Sequence, residues 1–177
     1  MKKLISTTIG CLLALLTQAQ VQDIQFIDSF ANKQTYHTIL LFAETRDTTD
    51  KQTGKKYTQR NSYYFDWVRK ELRYIDVYDF DNVLKRHAIE RAFRTKKHIP
   101  SATHIIYTFF GNKLIKVEVT PSKKQYEQCV EKYYVASDML ISQKNNNSCG
   151  QKRDLINESR FYLARLQIAN ETDALVY

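Results

Sequence analysis

Three stretches of the chain share one layout: an aromatic run, a short polar break, then a run in which apolar and polar residues alternate. They are "YYFDWVRKELRYIDV" (63–77), "IIYTFFGNKLIKVEV" (105–119) and "EKYYVASDMLISQ" (131–143). A period of two on both sides of a turn predicts β-hairpins. The middle one is the clearest, because Gly111-Asn112 suits a two-residue turn. Centred there, Phe110 faces Lys113, Thr108 faces Ile115 and Ile106 faces Val117. That register predicts a core face of Ile106, Phe110, Ile115, Val117 and Val119. It leaves Tyr107, Phe109, Leu114, Lys116 and Glu118 on a second face, open as a contact surface. In the first hairpin, strands over about 56–68 and 71–78 with a turn at Arg69-Lys70 set Asp66 against Arg73 and Trp67 against Leu72, a favourable pairing of charges and of apolar groups. The third hairpin is expected from about Val130 to Ser142, turning at Ser137-Asp138.

Elsewhere the period differs. Residues 36–45 read as a further strand and 46–56 as a polar loop. In 23–31, Ile24, Ile27 and Phe30 recur three apart, which predicts a short helix. "DFDNVLKRHAIERAFRTKKHIPS" shifts to helical spacing: Leu84, Ala88 and Ala92 line one face with Ile89 and Phe93 beside them. Asp81 or Asn82 is the expected N-cap and Pro100 the stop, giving a central helix over about 82–97. A C-terminal helix is predicted over about 151–169, with Leu155, Ser159, Tyr162, Leu163 and Leu166 as its inner stripe. Strand runs broken by helices, with alternating rather than continuously apolar strands, predict an α+β fold: an antiparallel sheet built from β-hairpins and packed by these two helices.

The beginning of the chain changes the expected compartment. Lys2 and Lys3 precede an apolar stretch of 13 residues, Leu4–Leu16, and Thr17 and Ala19 supply small residues before Gln20. This is the layout of a cleaved signal peptide over residues 1–19, leaving 20–177 as a single α+β domain of an exported, periplasmic or secreted protein. Thr8-Ile9-Gly10-Cys11 loosely resembles a lipoprotein box, but the apolar run continues past Cys11. No second stretch approaches transmembrane length. In an oxidising compartment the two remaining cysteines, Cys129 and Cys149, are expected to form a disulfide at the base of the third hairpin.

Charge narrows the partners more than the chemistry. The chain has 27 Lys+Arg against 19 Asp+Glu, a net +8, and loss of Lys2 and Lys3 with the signal leaves +6. The strongest basic set lies on the central helix: Lys85, Arg86, Arg91, Arg94, Lys96 and Lys97. It suits an anionic partner, and it is also what the wet face of an amphipathic helix requires. Catalytic frames are lacking. His37, His87, His98 and His104 form no HExxH pattern, the glycines are isolated, and no G-x-S-x-G elbow occurs. Asp76, Asp79 and Asp81 alternate with Val77, Tyr78 and Phe80, which reads as a strand and not as a calcium loop. No metal or cofactor is expected. Asn146, Asn157 and Asn170 match the glycosylation pattern, which carries no meaning behind a bacterial signal.

The hairpin phrases resemble the Y-Y-F-x-x-x-x-L-I units of small exported bacterial proteins, and the repeated unit is similar to that of the beta-lactamase-inhibitor-protein-like fold. The resemblance covers roughly 56–143 and carries over no functional residue. The spacing is irregular, 45 residues from Phe65 to Phe110 and 25 from Phe110 to Val135, which argues against a regular array. The expected function is a non-enzymatic exported binding module, of inhibitor or immunity type, that contacts a protein or an anionic envelope component and not nucleic acid. Its expected contact residues are Arg91, Arg94, Lys96, Lys97, Tyr107, Phe109 and Lys116. The alternative is a small periplasmic enzyme or ligand-binding fold in which His104, Tyr107, Asp66 and Arg73 meet across strands.

Overall fold

The architecture comes from a computed structural model, which describes residues 23–32, 37–49, 54–80, 82–96, 99–122, 130–136, 139–145 and 154–174. The signal segment and both Cys129 and Cys149 lie outside these residues. The chain divides into two compact units, residues 1–36 and 37–177. In the first, residues 23–32 form a helix, α1, on which Phe26 and Phe30 stack with ring centroids 6.0 Å apart.

The second unit is built on a seven-stranded antiparallel meander whose spatial order is its chain order. Its strands are β1 (Thr38–Thr49), β2 (Lys56–Asp66), β3 (Glu71–Phe80), β4 (Ala102–Phe110), β5 (Lys113–Thr120), β6 (Glu131–Ala136) and β7 (Met139–Asn145). A helix, α2 (Arg86–Thr95), connects β3 to β4, and α3 (Leu155–Ala174) closes the described chain. The α+β fold expected from the patterning is therefore present, with β1 running four residues beyond its expected end.

One sheet face forms the main core. Tyr63, Ile75, Val77, Ile105, Tyr107, Phe109, Leu114 and Val117 pack there with Leu155, Tyr162 and Leu166 of α3. The stripe expected for α3 is the buried one, with Ser159 also inside. Tyr107 anchors the helix: its ring meets Tyr162 edge-on at 5.3 Å, and its hydroxyl donates to Glu158 Oε2 at 2.8 Å.

Helix α2 covers part of the other face. It is shorter than 82–97 and starts differently: Lys85 is its N-cap, with no side-chain capping bond, and Lys96 ends it in a left-handed conformation (φ 52°). Asn82 instead contributes its carbonyl to Thr58 N at 3.3 Å. Ile89 and Ala92 are buried while Ala88 is exposed. The helix is thus rotated relative to the expected Leu84–Ala88–Ala92 face. Phe93 sets this rotation by packing edge-on against Tyr78 at 4.8 Å and under the Arg60 guanidinium at 4.1 Å.

The largest departure is in hairpin register. The turn of the middle hairpin is as expected, with Gly111 (φ 56°) and Asn112 (φ 58°) both in the positive-φ conformation of a type I′ turn. Phe110 pairs with Lys113, but a bulge follows: Phe109 pairs with Leu114 and Thr108 with Lys116, leaving Ile115 unpaired. A one-residue insertion inverts every later side chain relative to its partner strand. Tyr107 and Phe109 therefore enter the core with Val117 and Val119, whereas Phe110 is 40% exposed. The same device recurs. Phe65 pairs with Leu72 and Tyr64 with Tyr74, bulging Arg73; Val135 pairs with Leu140 and Tyr134 with Ser142, bulging Ile141. In the first hairpin the turn is Trp67–Lys70, so Asp66 pairs with Glu71 and not with Arg73. In the third, Ala136 pairs with Met139, which brackets the expected Ser137-Asp138 turn.

Candidate functional site

The expected contact residues divide into two groups. On α2, Arg86, Arg91 and Arg94 are exposed, as are the flanking Lys85 and Lys96; Lys97 lies outside the described residues. His87, Arg91 and Arg94 are four and three residues apart, which stacks them along the outward ridge opposite Ile89 and Ala92. None of the three arginines has a carboxylate partner among the described residues. The acid on this helix, Glu90, is turned inward. It accepts a hydrogen bond from Thr45 Oγ1 at 2.6 Å and lies 3.5 Å from Arg60 Nε. Arg60 is itself buried, and it needs that carboxylate to offset its desolvation. The helix's own acid is thus committed to holding α2 on the sheet.

Tyr107, Phe109 and Lys116 belong elsewhere, and their expected exposure is corrected. Tyr107 and Phe109 are fully buried under α3. Lys116 is buried on the opposite face, with its ammonium 3.2 Å from Glu118 Oε2 and 5.9 Å from the Tyr134 ring. The bulge at Ile115 is the cause in each case, since it puts Lys116 with Thr108 and not with Tyr107.

The set His104, Tyr107, Asp66 and Arg73 does not assemble. Tyr107 is on the α3 face. His104 is on the α2 face, where its Nε2 lies 3.3 Å from Asp76 Oδ1 and its ring stacks on Tyr78 at 4.3 Å. Asp66 Oδ1 is occupied by the N–H groups of Val68 and Arg69 at 3.1 and 3.0 Å. The His104–Asp76 pair has the geometry of an oriented imidazole, and the cross-strand partners of His104 are Tyr78 on β3 and Thr120 on β5. Nearby tyrosines are driven further from ionisation. Burial, reinforced by the Asp76 carboxylate, raises Tyr64, and pushes Tyr74 and Tyr78 to about 12. On the α3 face, burial and the Glu44 carboxylate, which accepts the Tyr63 hydroxyl at 3.1 Å, raise Tyr63 further still.

A shallow apolar cleft opens between the start of α3 and β5–β7, lined by Val117, Tyr133, Val135, Leu140, Asp154, Leu155 and Ile156. Asp154 is its charged residue, and it is already occupied in receiving the Asn157 N–H and side-chain amide. No group of three or more metal-ligating side chains occurs among the described residues. No helix of the described residues is long and apolar enough to cross a membrane. No family model, curated protein or solved structure matches the chain. The α2 ridge is therefore the site that the geometry itself singles out.

Proposed function

We propose that this chain is an exported, non-enzymatic binding module of inhibitor or immunity type, which docks α2 against an acidic protein surface or an anionic envelope component. One observation carries the reading: α2 turns its only acid inward and presents Arg91 and Arg94 outward without a carboxylate partner among the described residues. Such a ridge raises the local concentration of an anionic partner and sets its orientation. The helix is held by Phe93, Ile89 and Glu90, so the cations are displayed on a fixed frame and little ordering is needed on binding.

The test is affinity capture of envelope components on immobilised mature protein, compared with Arg91→Glu/Arg94→Glu. Both substituted side chains are exposed, so the variant keeps the fold. The expected result is a retained component that elutes with rising salt and is lost from the variant column. Equal retention by parent and variant would refute the reading.

A further inference from the structure

The end of the sheet opposite α2 carries an apolar and basic tip. The β2–β3 turn exposes Trp67 (54%) and Val68 (53%), and the neighbouring β4–β5 turn exposes Phe110. Adjacent exposed apolar groups of this size mark an interaction site more often than isolated ones do. Three cations surround them: Arg69, whose guanidinium lies 5.8 Å from the Phe110 ring centroid, and the exposed Lys70 and Lys113. Neither lysine has a carboxylate partner among the described residues.

The tip is braced from within. Glu71 accepts the Gly111 N–H at 2.8 Å, and Asn112 Oδ1 accepts the Leu72 N–H at 3.2 Å, which ties the two turns together. Glu71 also lies 3.7 Å from Arg69. Three backbone donors of the β2–β3 turn are engaged: Trp67 N–H by the His37 carbonyl at 3.1 Å, and Val68 and Arg69 N–H by Asp66.

We infer that this tip is a membrane-contact site, which seats Trp67, Val68 and Phe110 at the headgroup level of an anionic bilayer while Arg69, Lys70 and Lys113 meet lipid phosphates. The observations favour a bilayer over a protein partner on two grounds. The apolar groups stand on turns, not in a groove, and the engaged N–H donors lower the desolvation cost that backbone polar groups face near hydrocarbon. Trp is also the residue best suited to the membrane–water interface, and basic neighbours add attraction to anionic headgroups. The inference stands apart from the α2 reading, at the other end of the sheet.

Trp67 is the only tryptophan in the chain, so its emission reports on the tip directly. The mature protein is titrated with vesicles of phosphatidylcholine and phosphatidylglycerol in equal parts, and with phosphatidylcholine alone. The expected result is a blue shift and quenching by brominated acyl chains with the anionic vesicles, reversed by salt. Lys70→Gln/Lys113→Gln weakens partitioning by roughly thirtyfold, at about fivefold per basic residue near a charged surface. Val68→Asp abolishes the shift, while Lys56→Gln, an exposed cation at the other end of β2, leaves it in place. All substituted residues are exposed, and circular dichroism confirms that each variant is folded. Unchanged Trp67 emission with anionic vesicles would overturn the inference. So would undiminished binding by the tip variants, or loss of the shift only when α2 is altered. A protein partner cross-linked at Trp67, with vesicles left unbound, would overturn it in favour of a protein interface.

Discussion

Phe109 and Phe110 are neighbours in sequence, and truncating each to Ala separates two registers of the middle hairpin. Simple alternation through Gly111-Asn112 places Phe110 in the core and Phe109 outside. The bulge at Ile115 reverses that assignment. Phe109 is fully buried among the residues that pack on α3, so Phe109→Ala loses the transfer free energy of a whole ring and leaves a cavity, about 3–5 kcal/mol. Phe110 keeps 40% of its surface in water, and the Arg69 guanidinium lies 5.8 Å from its ring centroid. Its loss removes partial burial and an exposed cation–π contact of about 0.5–1 kcal/mol, or about 1 kcal/mol in all. The two variants should therefore differ by about 3 kcal/mol. Urea unfolding followed by far-ultraviolet circular dichroism reads this difference as a lower midpoint at unchanged slope. In thermal melts it amounts to a gap on the order of 10 °C for a domain of this size. Equal losses, or a larger loss for Phe110→Ala, would refute the bulged register.

Two further predictions concern pH and covalent structure. Tyr74 and Tyr78 are held to about 12 in the fold, and Tyr63 is raised further, against about 10 in an unfolded chain. The folded state thus retains phenolic protons that the unfolded state has released. Stability is full below about pH 10 and falls as pH climbs toward about 12, and near-ultraviolet absorbance should show these tyrosines ionising late, together with unfolding. Ionisation of all 12 tyrosines in one step near pH 10, with the protein still folded, would contradict this. Cys129 and Cys149 flank the paired ends Glu131 and Asn145 of the third hairpin, and the mature protein purified without reductant should be two hydrogens lighter than its reduced form. Two free thiols in that preparation would rule the disulfide out.

Much of the fold was legible because local period and turn chemistry are properties of consecutive residues. Gly111-Asn112 dictates its own turn, since both positions need positive φ and few residues tolerate it. The inner stripe of α3 follows from 3.6-residue spacing, and the α+β class from the alternation of strand and helix patterns. The bulges also left a trace that alternation hides. Leu114-Ile115 and Leu140-Ile141 are consecutive apolar pairs inside otherwise alternating runs, and in each the second residue is the unpaired one. The shared hairpin phrase is thus an apolar pair one step in from the pair that closes the turn (Phe65–Leu72, Phe109–Leu114, Val135–Leu140), followed by the bulge.

What the sequence alone determined is the set of elements, the Gly111-Asn112 turn and the basic character of α2. Only tertiary structure decided which face of each strand is inside. A bulge shifts one strand against its partner, and whether that shift occurs depends on what the two faces meet. Here α3 accepts Tyr107 and Phe109, and Glu158 satisfies the Tyr107 hydroxyl. Tertiary packing also set the rotation of α2, because Phe93 and Glu90 find Tyr78, Arg60 and Thr45 on strands 12 or more residues away. The pairing of the two turns at the tip was equally hidden, since Glu71 and Gly111 are 40 residues apart. Such contacts depend on the sheet bringing distant segments together, and no local pattern encodes them.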